Sequence, residues 1–544
     1  MDPKALRQKI LDLAIRGKLV PQDPNDEPAS VLLERIREQK KQMVKEGKLK
    51  AKDIKNDTII FRGEDNLHYE KFQDGSVKCI EDEIPFELPE GWEWCRLKSL
   101  AAPHENSFVD GPFGSNLKTE HYTEKKEVRI IQLNNIGELE WKNNGVKYTT
   151  FSHAETLKRC KSYPGDIVIA KMMPAGRAVI IPDINDIYVI SSDCVRLQLP
   201  PYIDSNYIMY MINSTTINSS ILETVQGIGR SRTSLSKLKE ILVPLPGYIE
   251  QQKITEKIIN LLIDVAVIDD NITDILDFVR MTKNKILDLA IRGKLVPQDP
   301  NDEPASVLLE RIHEEKEELI KQGKIKRDKK ESFIFRGDDN SYYEKIGNEV
   351  RCIDEEIPFE IPDTWEWVRL KNCCCKEIRR GKSPKYIEQS ETLVFAQKCN
   401  TKYNGIDIGL ALYLDESTLN KYPEDEYMQD EDIVINSTGT GTLGRVGFYR
   451  STANRNNIPI VPDSHVTVIR SYRELHAFYL YAFMKANQSE LEKKGEGSTN
   501  QKELKPLTLK ELYVPIPPYE EQLRIAVSIN NAFSLISKLE KSLK

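Results

Sequence analysis

KILDLAIRGKLVPQDPNDEPASVLLERI fills Lys9–Ile36 and returns letter for letter at Lys285–Ile312. A second echo trails each copy, CIEDEIPFELPEGWEW at Cys79–Trp94 and CIDEEIPFEIPDTWEW at Cys352–Trp367. The spacing between copies is far beyond the period of roughly 20–50 residues that marks a solenoid. The chain therefore reads as two large, related halves, and two related halves do one job at two places.

Between the copies, Ile254, Ile258, Leu261, Val265, Ile268, Ile272, Ile275 and Val279 fall in alternating steps of four and three, with Ile286 and Leu289 beyond them. That seam predicts a long helix over 250–292 of the coiled-coil kind. VPLPGYIEQQ marks its start, because proline ends a strand's hydrogen bonding and favours a helix opening. VPIPPYEEQ at Val514–Gln522 repeats the device ahead of Ile525, Ile529, Ala532, Ile536, Leu539 and Leu543. Neither stripe can bury itself, and each is the economical partner for the other. Matching Ile254 to Ile525 places Lys544 at Thr273, and matching Lys9 to Lys285 places Met1 at Asp277. Only positions 274–276 are then missing between the end of the chain and its beginning. The expected arrangement is a two-unit ring opened inside its second long helix, with the N-terminal helix docked end to end on the C-terminal one.

Two blocks separate the helices. VRIIQLNNI, DIVIAKMM and RAVIIP in the first, and TLVFAQKC, DIVINST and RVGFYR in the second, read as short strands between turns. Each block then turns helical, as YIMYMINSTTINSSIL (Tyr207–Leu222) and FYLYAFMKANQSELEKK (Phe478–Lys494). The expected fold class is α+β: two globular domains separated by two long antiparallel coiled-coil helices in a pseudo-twofold, circularly arranged repeat. The expected boundaries are 1–83 for an N-terminal helical repeat segment and linker, 84–249 for the first globular domain, and 250–356 for the central helix, second repeat segment and linker. The second globular domain follows at 357–519 and the C-terminal helix at 520–544. Segments 37–83 and 313–350 are rich in Lys and Glu and read as exposed helices followed by a linker.

The formal charge of −7 argues against nucleic acid only weakly, since DNA senses local patches rather than a sum over the chain. No run of apolar residues is long enough for a membrane span, and the N-terminus lacks a signal-peptide core. Nine scattered cysteines without a CxxC pair point to a reduced, cytoplasmic protein.

Several enzyme motifs nearly occur and fail on context. Gly439, Gly441 and Gly444 satisfy GxGxxG after a strand-like run, but RVGFYR follows where a dinucleotide site needs a helix. Gly381-Lys382-Ser383 lacks the earlier glycine of a P-loop, since Lys376 stands there. Ile516-Pro517-Pro518-Tyr519 lacks the Asn or Asp that leads an amino-methyltransferase motif. Cys373, Cys374 and Cys375 are adjacent, which on a strand points them to opposite faces and suits core packing better than tetrahedral zinc. No catalytic residue, metal or cofactor is expected.

What remains is a set of polar, basic, glycine-rich loops. DGPFGSNLK offers Phe113, Ser115, Asn116 and Lys118; AKMMPAGR offers Lys171 and Arg177; GIGRSRTSLSK offers Arg230, Arg232 and Lys237. In the second block EIRRGKSPKY offers Arg379, Arg380, Lys382, Ser383 and Lys385, and AQKCN offers Gln397, Lys398 and Asn400. NSTGTGTLGR adds Asn436, Ser437, Thr438, Thr440 and Arg445, and EGSTNQK adds Asn500 and Lys502. Arg and Lys grip phosphates or guanine, Asn and Gln read adenine, and hydroxyls hold the sugar–phosphate register. Similar loops at similar places in both halves strengthen a DNA-binding reading over mere solvated turns.

With these residues in view, the chain resembles the specificity subunit of type I restriction–modification systems over nearly its whole length. The resemblance is carried by the two long helices, each opened by a Pro-rich turn and an EQ pair (Glu250-Gln251, Glu521-Gln522), by GKLVP at Gly17–Pro21 and Gly293–Pro297, and by the two loop sets. It implies a non-catalytic subunit whose two target-recognition domains each bind one half of a split, double-stranded DNA sequence. It further implies helices that act as spacer and docking platform for two methyltransferase subunits, which carry the S-adenosylmethionine chemistry. Restriction subunits would join the full complex. A fused restriction–methylation enzyme and a coiled-coil scaffold without a DNA role are the rival readings.

Overall fold

The computed structural model describes residues 2–543 apart from 186, 227–230, 328–330, 403–404, 440, 455 and 497–501. The chain forms two compact units, Met1–Ile272 and Thr273–Lys544. Their boundary falls inside the helix Tyr248–Ile291, whose 44 residues begin in the first unit and end in the second. No helix among the described residues is long and apolar enough to cross a membrane.

In the first unit the helix Pro3–Ile15 opens on Asp2, whose side chain accepts from the Lys4 N–H. It buries Ile10, Leu11, Ala14 and Ile15 in a core that includes Ile254, Ile258 and Val265 of the long helix. Arg7 closes the pair with an ion pair of 2.9 Å to Asp269. In the second unit Leu287 and Ala290 pack with Ile525 and Ile529 of the helix Tyr519–Leu543, and Lys283 pairs with Glu540 at 2.8 Å. Arg7 and Lys283 occupy one repeat position, and Asp269 and Glu540 another, so each unit builds its helix pair by one rule. The seam read from sequence departs from the structure at Ile275, which is 38% exposed, and at Ile286 and Leu289, where Leu287 and Ala290 take the buried places. A straight α-helix drifts by about 20° per heptad against a 3.5-residue repeat, so a stripe rotates off the contact line.

The start of each long helix is bolted to its globular block. Gln251 is fully buried; its Nε2 donates to the Pro246 carbonyl at 2.9 Å and its Oε1 accepts from the Asp204 N–H at 2.9 Å. Gln522 repeats this with the Pro517 carbonyl at 2.9 Å and the His476 N–H at 3.0 Å. The Trp92 indole donates to Glu250 at 2.9 Å, and the Trp365 indole to Glu521 at 2.9 Å. Burial pushes both carboxyls up, against the lowering effect of the indole bonds. The WEW echo and the EQ pair are thus two sides of one contact. GKLVP belongs to the same corner: Gly17 and Gly293 sit at φ +62° and +65°, and a Cβ would lie 2.4 Å from Pro89 and 2.5 Å from Pro362.

The segments read as exposed helix and linker fold more fully than expected. After the helix Ala29–Lys45, Ile59–Arg62, His68–Lys71 and Val77–Cys79 form an antiparallel meander. After Ala305–Lys321, Ser332–Arg336, Tyr342–Ile346 and Glu349–Cys352 form another. Each is fixed to its block by a buried bidentate pair. Arg96 donates to Glu70 at 3.1 and 2.6 Å, and Arg369 to Glu344 at 3.0 and 2.7 Å.

The blocks are unlike in sequence and alike in plan. The first holds an antiparallel sheet ordered Ala178–Ile180, Ile167–Ala170, Cys194–Leu197, Phe108–Asp110, beside a mixed sheet in which Val128–Ile131 and Tyr188–Ile190 run parallel. The second holds Val446–Phe448, Ile433–Asn436 and Val466–Ile469, beside a sheet in which Leu393–Phe395 and Ile460–Pro462 run parallel. Each expected helical stretch is two helices: Ser205–Asn213 and Thr215–Glu223, then Ala477–Ala486 and Gln488–Lys493. Cys373 and Cys374 are buried and Cys375 half-buried, with burial pushing all three thiols up, but Cys373 closes the turn Leu370–Cys373 rather than lying in a strand.

Gln522→Leu strands the Pro517 carbonyl and the His476 N–H, so chemical denaturation should show a loss of about 2–4 kcal/mol. Burial pushes the Glu344 carboxyl up, but hydrogen bonds from Arg369 and Arg351 outweigh it and hold it at about 2. A depressed carboxyl stabilises the fold above its ordinary value and ceases to do so as pH falls through its native one. Glu344→Gln should therefore be less stable than the wild-type chain at pH 7, with the gap closing between pH 4.5 and about 2.

Candidate nucleic-acid interface

The antiparallel sheet of the first unit brings its loops together. Asp110–Lys118 leaves the strand Phe108–Asp110, and Lys171–Arg177 joins two neighbouring strands. Backbone bridges Met172↔Arg232 and Gln226↔Arg232 tie a third segment beside them. Gly111 lets the first loop cross, since a Cβ there would lie 1.8 Å from the Ser191 carbonyl oxygen. The result is a cleft whose lining includes Asp110, Phe113, Asn116, Arg159, Lys171 and Arg232.

Within it, Lys171 pairs with Asp110 at 2.8 Å, and Phe113 stands 84% exposed. Ser115 donates to the Asn116 side-chain oxygen at 3.3 Å, and the Asn116 carbonyl meets a ring nitrogen of His153 at 3.0 Å. Lys118 lies 3.7 Å from Glu120, Arg177 is half-buried and Arg232 is exposed. Lys237 turns inward: its ammonium donates to the Thr224 carbonyl at 2.7 Å and caps the helix Thr215–Glu223. Arg230 lies outside the described residues. Sequence reasoning passed over Arg159, exposed in the cleft wall; the basic cluster Lys158-Arg159 and Lys161 was its signal.

In the second unit the structure divides the expected residues into two groups. One group faces inward. Asn400 donates to the Asn436 side chain at 3.3 Å and to the Arg445 carbonyl at 3.0 Å, and Arg445 returns a bond of 2.7 Å to the Asn400 carbonyl. Asn436 donates to the Gln397 carbonyl at 3.1 Å, and the fully buried Ser437 hydroxyl meets Thr467 at 2.7 Å. Thr438 bonds His465 at 2.7 Å. Arg379 points at the buried Glu426, 2.7 Å away. The sequence marks Asn400, Asn436 and Ser437 as DNA contacts; in the structure they spend their polar groups on holding the loops, because a buried amide or hydroxyl needs an internal partner. Arg379 is partly exposed and also pairs with Glu377 and Asp425. The glycine run between them is, as expected, a turn joining the paired strands Ile433–Asn436 and Val446–Phe448.

The other group faces outward. Ser383, Lys385, Lys398 and Lys502 are exposed, and Lys382 and Gln397 are half-buried. The Gln397 carboxamide oxygen has no hydrogen-bond partner among the described residues. Arg380 pairs with Glu503 at 3.1 Å. Thr440 and Asn500 lie outside the described residues. Bridges Lys382↔Asp463, Arg380↔Thr467 and Thr438↔Glu503 gather the three loops as in the first unit. Arg380 stands where Asp110 stands, and Glu503 where Arg232 stands, so the two sites carry opposite charges at matching positions. Among the described residues no group of His, Cys, Asp and Glu could hold a metal ion.

Residues 116–271 and 362–544 match the family described as the type I restriction modification DNA specificity domain. The chain is 30% identical to the EcoAI specificity subunit of Escherichia coli over 425 residues, covering 68% of this chain and 62% of that protein. It is 27% identical to the EcoEI specificity subunit of Escherichia coli over 607 aligned positions, covering 99% of this chain and 91% of that one. A solved chain from a type I restriction–modification system is similar at 16% identity, with a TM-score of 0.49 over 84% of this chain and 94% of its own. With the family matched over both globular blocks, the chain belongs to the DNA specificity family of type I restriction–modification systems.

Proposed function

We propose that this chain is the non-catalytic DNA-recognition subunit of a type I restriction–modification complex in the cytoplasm, with the blocks 84–249 and 357–519 as its two target-recognition domains. The observation that supports it best is one frame carrying two unlike loop sets. Each domain reads one half of a split target in double-stranded DNA, and unlike loops read unlike halves. In the first unit Phe113, Lys118, Lys171 and Arg232 face the duplex with Arg159; in the second Lys382, Ser383, Lys385, Lys398 and Lys502 do so. The helix pairs Pro3–Ile15 with Tyr248–Ile291, and Tyr248–Ile291 with Tyr519–Leu543, belong to an antiparallel coiled coil in a circular repeat. The matching ion pairs Arg7–Asp269 and Lys283–Glu540 support that arrangement. Ile259, Ile263 and Val267 stay 40–56% exposed in steps of four along the central helix, a stripe suited to a methyltransferase helix. Two methyltransferase subunits supply the chemistry, and restriction subunits complete the complex.

Methylation mapping of DNA from cells carrying the complex should return an asymmetric target in two parts with unspecified base pairs between. A single continuous palindrome contradicts this. Lys398→Ala and Lys502→Ala should each lower the slope of log affinity against log salt by about one and weaken binding to a similar degree across target sequences. Asn436→Ala should instead lower thermal stability. Binding that is independent of salt would favour the scaffold reading.

A further inference from the structure

Phe113 stands on the loop Asp110–Lys118 with 84% of its surface exposed, more than any other large apolar side chain among the described residues. The loop beneath it is braced on both sides. Pro112 before the ring and Leu117 after it are buried, and the Gly111 N–H donates to the Cys194 carbonyl at 3.0 Å. The Asn116 N–H closes a turn on the Phe113 carbonyl at 2.8 Å. Two stacked imidazoles, His121 and His153 with centroids 4.0 Å apart, hold the far end. His121 Nδ1 accepts from the Lys118 N–H at 3.0 Å, and His153 Nε2 meets the Asn116 carbonyl at 3.0 Å.

A single exposed apolar side chain is ordinary on a protein surface. Place sets this one apart. The ring lines the cleft that Arg159, Lys171 and Arg232 also line, and Met173, next to the cleft-lining Met172, is 59% exposed. Cations there draw the phosphate backbone, but a phenyl ring bonds neither phosphate nor a base edge. A duplex offers it two apolar surfaces, a thymine methyl in the major groove and the faces of the bases. A methyl covers one patch of a ring, whereas a parted base step covers both of its faces. A ring this bare, held away from the block by a braced turn, has both faces free for the second.

We propose that Phe113 is a wedge that enters the duplex between two adjacent base pairs of the first domain's half-site and unstacks that step. The wedge rests on the reading of the first block as a DNA reader. It belongs to one half-site only. Gly381 is pressed on the Pro462 carbonyl as Gly111 is on that of Ser191, and two residues beyond these glycines the exposed Ser383 takes the place of Phe113. Pyrimidine–purine steps part most easily, so the wedge selects such a step without a hydrogen bond to either base.

The full-length chain, assembled with its methyltransferase subunits, is bound to duplexes carrying 2-aminopurine at successive purine positions of the mapped target. The probe brightens when it loses its stacked neighbour. With the native chain, emission should rise severalfold at one step of the first half-site, away from the methylated base, which a methyltransferase brightens by extruding it. Phe113→Ala should abolish that rise and weaken binding to the target by on the order of tenfold, the worth of stacking on one base. Phe113→Trp, which keeps a flat ring, should preserve both. Because the ring is exposed, neither substitution should shift the melting temperature of the chain. A rise that survives in Phe113→Ala, or no rise in a native complex that binds its target, overturns the wedge and leaves the proposed function standing. Thymine-to-uracil replacement that weakens the native chain as much as Phe113→Ala does, with no rise at any step, assigns the ring to a thymine methyl and overturns the wedge. A native complex that binds no DNA overturns the proposed function and the wedge together.

Discussion

The buried corner where each long helix begins is the constraint on which the rest of the structure depends. A glutamine with no exposed surface spends its amide on a proline carbonyl behind it and its oxygen on a backbone N–H from the adjoining helix. The neighbouring glutamate accepts a hydrogen bond from the indole N–H of the tryptophan just before the block's first strand. Buried polar groups must be satisfied, and these satisfy one another only when helix, proline turn and block meet at one angle. The corner therefore fixes the direction in which a helix leaves a recognition block, and it does so twice.

That duplication separates residues the two units share from residues they do not. Residues of the frame repeat in both units: the Trp–Glu bond, the Gln clamp, the Arg–Glu pair that holds the meander, and the glycine pressed against a proline. Residues at the loop tips do not. Asp110 and Arg232 in one unit answer to Arg380 and Glu503 in the other, a reversal of charge on matching backbone positions. A frame indifferent to the sign of charge at its loop tips can carry unlike readers without refolding.

Much of this was legible in the sequence, for identifiable reasons. The repeat announced two units, the EQ pairs and Pro-rich turns announced two helix starts within two residues, and DIVIAK and DIVINST announced the paired strands beside the loops. The meanders were missed because strands of three to five residues flanked by Lys and Glu leave no periodicity to detect. The inward turn of Asn400, Asn436 and Ser437 was missed because an amide or hydroxyl in a glycine-rich stretch looks the same whether it meets water, DNA or a neighbouring carbonyl. Only the tertiary partner decides, and those partners lie 30–45 residues away. Arg159 escaped for the opposite reason: the short basic cluster Lys158-Arg159 and Lys161 around it looks like any solvated turn, and Arg159 reaches the cleft only through the fold.

We propose that specificity belongs to exchangeable blocks seated on a repeated frame. The frame's hydrogen bonds Leu97 N–H to Ile241 and Leu370 N–H to Leu512, both 2.9 Å, mark equivalent cut points. Replacing residues 97–241 by residues 370–512 keeps the Trp92–Glu250 bond, the Arg96–Glu70 pair and the Gln251–Pro246 bond, supplies the His476 N–H in place of that of Asp204, and doubles one reader. Methylation mapping of the complex built on that hybrid should return a target in which the half-site of the second unit occurs twice. Retention of the original asymmetric target, or a new half-site found in neither unit's repertoire, would contradict the account.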